Sequence, residues 1–367
     1  MRLTQAALSL SLLVTCNAHA AQYTVTDLGT LGGSSSAATA INDHGVIVGD
    51  SATANQENHA FIYQNGVMTD LGVPGSLSHG NGINNQNQIV GTYFVPGGSP
   101  FQPHAFIYHQ GTFTDLGTLG GGSSYAYGIN DAGQIVGTSD AGSGVGNAFV
   151  YQNGSMVAVP TGNGSNGSDA LAINNHGAVT GRGGIESTLT PYIYDNGTLT
   201  IMRDDHGHAI LGLGTAISDA GLVTGYGRFD GAPQVSALLY RDGVAWNIGS
   251  LGGHWSSGAS INERGEVVGA STLAGGSVYN AFFYSEAGGM VNLNSLIAAD
   301  SGWVLNSAAS INESGQIVGS GIHNGQYRAF LLTPVPEPSV LALTMAGAFV
   351  AWRQAMKKGS RREPRAA

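Results

Sequence analysis

Cysteine is nearly missing from this chain. Cys16 is the only one in 367 residues, and it sits in the first twenty. Beyond that segment, disulfides, thiolate catalysis and zinc–cysteine sites are excluded. Lysine is as scarce: Lys357 and Lys358 are the only two, which removes both a phosphate-binding loop and a Schiff-base lysine. Charge of either sign is low, at 10% of residues. From residue 21 to 334 there are six Arg and no Lys against 21 Asp and Glu. A body this acidic repels nucleic acid. No serine stands in a Gly-x-Ser-x-Gly elbow, so acyl transfer loses its usual handle. Abundance lies elsewhere: 58 Gly and 42% hydrophobic residues are too apolar for disorder and too Gly-rich for a helical protein. Such a composition points to strands joined by many tight turns.

The two ends differ from the body. Arg2, the apolar run Ala6 to Val14 and the small-x-small triplet Ala18-His19-Ala20 form a secretion signal pattern, cleaved after Ala20. Thr15 before Cys16 departs from a lipoprotein box. At the other end Pro336-Glu337-Pro338 precedes the apolar run Val340 to Trp352 and then a basic cluster from Arg353 to Arg365. Thirteen apolar positions are few for a span that needs about 20. The basic cluster predicts that the tail stays cytoplasmic while the body is exported.

Between the ends, a motif reading I-N-x-x-G-x-I-V-G recurs with anchors at Ile41, Ile83, Ile129, Ile173, Ile217, Ile261 and Ile311. A period near 44 residues matches a four-stranded propeller blade. Asn-x-x-Gly marks a first turn, as in Asn42 to Gly45, with Ser218 replacing the Asn in the fifth unit. A second apolar strand, a variable loop and a third strand such as His59 to Tyr63 follow. Asn-Gly or Asp-Gly pairs then make a hairpin into a fourth strand. The seventh unit lacks a fourth strand, while Tyr23 to Gly29 is an orphan of that type. The orphan completes the broken unit, and the expected fold is an all-β, seven-bladed propeller of four-stranded antiparallel blades closed by the N-terminal strand. Small residues before each anchor, from Ala40 to Ser310, suit an innermost strand. Hairpin register places His59 diagonal to Asp70 and His104 diagonal to Asp115; closure would set Arg328 beside Asp27. These are read as structural pairs.

The repeated His-Ala-Phe with Asp-Leu-Gly-Thr-Leu-Gly-Gly, strongest at His59-Ala60-Phe61, His104-Ala105-Phe106, Asp27 to Gly33 and Asp115 to Gly121, resembles the HAF repeat of extracellular repeat proteins. The match covers about residues 22 to 333 and weakens at Pro191-Tyr192 and Ala237-Leu238. The tail is similar to the PEP-CTERM sorting signal. That resemblance implies an exosortase-type processing enzyme as partner, cutting near Pro336-Glu337-Pro338, with transient membrane anchoring through the apolar helix. The family brings a location at the outer surface or in the extracellular matrix, and no activity.

Three segments follow: signal peptide 1–20, repeat body 21–334 and sorting tail 335–367. The variable loops open on one face, and there lie Tyr93, Phe94, Tyr125, Tyr127, Phe229, Asp230, His254, Trp255 and Tyr279. Aromatics on a rigid scaffold suit sugar stacking or a partner surface, and the candidate ligand residues are His254, Trp255, Tyr125, Tyr127, Phe94 and Phe229. His206-x-His208 beside Asp204 and Asp205 is read as an exposed turn. No catalytic residue, metal or cofactor is expected. The expected function is a non-enzymatic surface or matrix protein binding polysaccharide or an envelope component. The alternatives are a secreted propeller lyase or hydrolase acting on glycans, and a structural biofilm scaffold.

Overall fold

A computed structural model describes residues 22–97, 102–161, 167–185, 188–229 and 234–335. The processing positions Ala18, Ala20, Pro336, Glu337 and Pro338 lie outside the described residues. Tyr23–Pro334 is one compact unit. Among the described residues no helix is long and apolar enough to cross a membrane.

The described body is all-β. The first repeat runs Gly32–Ile41, Ile47–Thr53, Asn58–Gln64 and Val67–Asp70, and these strands pair in chain order as an antiparallel sheet. Three further four-stranded sheets repeat this order. The strands of Leu211–Asn247 and Gly252–Asn292 join into one eight-stranded sheet, linked only by a parallel pairing of Val235 with Trp255. In the last sheet Trp303–Ile311, Ile317–His323 and Gln326–Pro334 are completed by Tyr23–Asp27, antiparallel and in register from Tyr23 opposite Pro334 to Asp27 opposite Phe330. The first strands of neighbouring sheets lie side by side, and Gly32–Ile41 of the first sheet meets Trp303–Ile311 of the last. The arrangement is propeller-like.

Local chemistry accounts for the strands. Asn65 and Gly66 both have positive φ, 54° and 82°, as do Asn153 and Gly154. That is the twist a two-residue hairpin needs. The glycine of Ile-Val-Gly has a different cause. Its φ is not positive. A Cβ on Gly137 would collide with the Tyr125 carbonyl and press on the Phe149 ring. There the inner strand is bulged between Ala126 and Gly128 and crowds its neighbour. The same collision recurs at Gly49, Gly91, Gly181, Gly225, Gly269 and Gly319, which explains why this position admits no side chain.

The core lies between sheets. One cluster joins Val318 and Ala329 of the last sheet to Ile41, Ile47 and Phe61 of the first, with Leu28 from the closing segment. Phe61, Phe106, Phe149, Tyr192, Leu238, Phe282 and Phe330 hold equivalent third-strand positions, and all are fully buried. The 50-residue spacing before the last anchor is explained by an inserted 3-10 turn, Leu293–Ser295, capped by Asn292. Its Leu293, with Ile297, fills the cluster around Trp303 and Leu305.

Replacing Phe282 by Ala should lower stability by about 3–5 kcal/mol, since a buried ring leaves a cavity that the sheets cannot close. Val67→Ala, at a 60% exposed position, should change it by less than about 0.5 kcal/mol. Parallel urea melts of the two variants check the contrast.

Candidate ligand-binding face

The two ends of the sheets are built differently. At one end stand the Asn-x-x-Gly turns. Asn42 Oδ1 accepts the N–H groups of His44 and Val46, which fixes its own turn. Its Nδ2 donates 3.0 Å to the Asn84 carbonyl of the next repeat. Asn84 reaches Asn130, Asn130 reaches Asn174, Asn174 reaches Ser218, and Asn312 reaches back to Asn42 in the same way. A second circuit runs through the following residue. The Asp43 N–H donates to Asn85 Oδ1, and the relay continues through Asp131, Asn175, Asp219, Glu263 and Glu313 until the Glu313 N–H returns to Asp43.

These turns surround a cavity of about 230 Å³. Five carboxylates line it: Asp43, Asp131, Asp219, Glu263 and Glu313. Each accepts a main-chain N–H of the preceding repeat, so the acids act first as rivets. Ser218 is the weak point. Its Oγ is buried and has no hydrogen-bond partner, and it replaces the Asn that bridges at Asn42, Asn84, Asn130, Asn174 and Asn312, whereas Asn262 donates to Glu266 of its own turn.

Ties at the opposite end come from a residue that pattern reading passed over. Ser78, Ser124 and Ser168 open their inner strands and Ser256 lies within its own, and each Oγ accepts the N–H of the third-strand Ala in the preceding repeat. Ser36 does the same for Ala329 across the closure, at 3.0 Å. Where the preceding repeat carries Pro191, which has no N–H, the serine position is Gly212. The signal was present as a serine five residues before five of the anchors.

The His–Asp relations are close contacts. His59 Nδ1 stands 2.7 Å from Asp70 Oδ2, and His104 Nδ1 stands 2.9 Å from Asp115 Oδ2. Tyr93 also donates to Asp115, at 3.0 Å. Burial alone would raise Asp115, but the Gly117 N–H, His104 and Tyr93 together hold its carboxyl below the ordinary range. The expected Arg328–Asp27 pair does not form. His323 takes Asp27, with Nδ1 2.8 Å from Oδ2, and stacks flat on Trp303 at 4.5 Å. Arg328 turns instead to the Ser34 carbonyl and Gln326. In the last repeat a tight Asn324-Gly325 turn brings His323 into reach of Asp27.

The loop end carries the aromatic candidates, and they do not converge on one point. His254 and Trp255 lie on the extended first strand Gly252–Ile261. The Trp255 ring meets Tyr279 edge-on at 4.9 Å, and Gln234 Nε2 is 3.3 Å from His254 Nδ1. Tyr279, Val278 and Leu273 are exposed beside it, at 49%, 62% and 40%. Tyr125 and Tyr127 were expected in a variable loop, but they sit on the inner strand Ser124–Ile129 and stack on each other at 6.4 Å. Burial first, then the Asp169 charge, pushes the Tyr127 hydroxyl up to about 12. Phe229 packs against the cluster of Met202 and Ile210. Phe94 ends a strand in the second repeat, half-buried. Asp230 lies outside the described residues.

Repeat-specific polar residues also gather on the inner strand pairs. His79 Nδ1 is 3.4 Å from Asp50, while Arg182 Nε donates 2.6 Å to Asp169, which also accepts from Thr138. These were invisible as a group in the sequence because they come from different repeats.

No family model matches the chain, and no curated protein does. Among solved structures the chain is similar to TolB from Acinetobacter baumannii, with 11% identity over 78% of this chain and 63% of TolB, at a TM-score of 0.44. It is also similar to a gluconolactonase from Xanthomonas campestris, with 12% identity over 70% of this chain and 86% of the enzyme, at 0.37. A sialidase from Trypanosoma rangeli gives 11% identity over 88% of this chain and 57% of that one, at 0.36. The chain thus spans less than two thirds of TolB and of the sialidase. None of these likenesses bears on activity or ligand.

Ser218→Asn should restore the missing bridge and raise stability by about 0.5–1.5 kcal/mol, read as a higher urea midpoint with an unchanged slope. Asp115→Asn should lose about 1 kcal/mol at neutral pH. A depressed carboxyl stabilises above its unfolded pKa, and that contribution is lost as pH falls through the folded value. The gap between Asp115→Asn and the parent in thermal melts should therefore narrow below about pH 4.

Proposed function

We propose that this chain is an exported, non-enzymatic, seven-bladed β-propeller that binds polysaccharide or an envelope component through its loop face. The observation that carries this reading is the corner formed by Trp255 and Tyr279. There an aromatic pair, with exposed Val278 and Leu273 beside it, meets the polar groups of His254 and Gln234. An aromatic ring face bordered by hydrogen-bonding side chains is what a sugar ring needs.

Support for seven blades comes from the second hydrogen-bond circuit, which visits each anchor turn and returns to the first. The eight-stranded sheet divides into two blades at its single parallel link. Support for a binding role over an enzymatic one comes from the repeated acids. They are engaged in the turn circuit or in His–Asp contacts, so repetition has an architectural cause. Export to the outer surface or matrix, an exosortase-type partner and a transient membrane anchor rest on the signal-like start and the PEP-CTERM-like tail.

The test is retention of the purified protein on a panel of immobilised neutral and acidic polysaccharides, beside Trp255→Ala. At least one polymer should retain the parent, and Trp255→Ala should bind it about tenfold more weakly, a difference of about 1.4 kcal/mol. Equal retention of both proteins, or none by any polymer, would sink the reading.

A further inference from the structure

One connection between sheets differs from the rest. Between the strands Thr198–Ile201 and Leu211–Ile217 the chain makes an extra hairpin, closed by a bridge from Arg203 to Ala209. Its tip, Asp204 to His208, copies the anchor turn. The Asp204 N–H donates to the His208 carbonyl, the Gly207 N–H donates to the Asp204 carbonyl, and Asp204 Oδ1 accepts the N–H groups of His206 and His208 at 3.0 and 2.8 Å. Asn42 makes the same four bonds in its own turn.

The copy has a different chemical content. In the Asn42 turn the second side-chain atom is an amide nitrogen that donates to the next repeat. In the hairpin it is a carboxylate oxygen, Asp204 Oδ2, which stands 3.6 Å from His208 Nδ1. Beside it Asp205 Oδ1 is 2.8 Å from His206 Nδ1. One donor atom from each of Asp204, Asp205 and His206 lies within 4.8 Å of the others. The His206 and His208 rings run nearly parallel, 13° apart, with centroids at 6.1 Å. The base is rigid. Met202 and Ile210, which flank the hairpin, are fully buried in one cluster, and the Ala245 N–H ties down the Arg203 carbonyl.

We propose that this hairpin is a binding site for a divalent transition metal, with Asp204, Asp205, His206 and His208 as the donor set. Two imidazoles and two carboxylates without a thiol make a nitrogen–oxygen set. Such sets favour zinc, nickel or copper over calcium and magnesium, which take oxygen alone. Asp204 is the anchor of the site, because two main-chain N–H groups fix one of its oxygens and leave the other 3.6 Å from His208 Nδ1. The site is independent of the aromatic corner: a polysaccharide-binding loop face and a metal-binding hairpin can each exist without the other.

The test is zinc titration of the full-length protein by calorimetry, with the histidine proton resonances followed in parallel. One equivalent of zinc should bind at the hairpin and shift the ring signals of His206 and His208. His206→Ala/His208→Ala should lose that equivalent. Asp204→Asn preserves the turn, because asparagine makes the same turn at Asn42, yet removes a charged donor; it should weaken binding at least tenfold. An excess of calcium should not displace the zinc. Thermal melts without metal should match for all three proteins, which separates loss of a donor from loss of fold. No zinc uptake by the parent, or uptake by His206→Ala/His208→Ala equal to the parent's, would overturn the proposal.

Discussion

The anchor asparagine binds its own turn and the next repeat at once, and the rest of the body depends on both. Its carbonyl and side-chain oxygen hold a five-residue turn, while its side-chain nitrogen reaches the main chain of the next repeat. A single residue thus couples local turn formation to the placement of the neighbouring sheet. A buried amide left without these partners would cost about 1–3 kcal/mol, so the turns and the circuit form together. The serine ties at the other end apply the same logic to the third strands.

Ring closure concentrates this dependence at one seam. The last sheet is finished by the first strand of the body, and residues almost 300 positions apart become neighbours: His323 with Asp27, Ala329 with Ser36, Asn312 with Asn42. Closure leaves no unpaired end sheet. The seam's contacts join residues far apart in sequence, so they carry the largest loop-closure entropy of the body.

Because the repeats share the scaffold work, chemistry is left to their exceptions. The Trp255–Tyr279 corner, the inner-strand contacts of Asp50 with His79 and of Asp169 with Arg182, and the Asp204–His208 hairpin occur once each. The hairpin is built by reusing the anchor turn with a carboxylate in place of the amide.

What the sequence determined alone was everything periodic. Turn glycines, hairpin asparagines and the His59–Asp70 and His104–Asp115 relations follow from spacing within one repeat, where register is fixed by a two-residue turn. The strand character of the repeats followed from the same pattern. Tertiary structure decided whatever depends on a neighbour in space. It gave Asp27 to His323 instead of Arg328, because a shorter turn in the last repeat moved a histidine into range. It moved Tyr125 and Tyr127 from a presumed loop to an inner strand, because the strand begins earlier than its anchor motif shows. It gathered Asp204, Asp205 and His206 within 4.8 Å, where residue order showed only an exposed turn. Periodicity specifies what a residue repeats, and contact across sheets specifies what it meets.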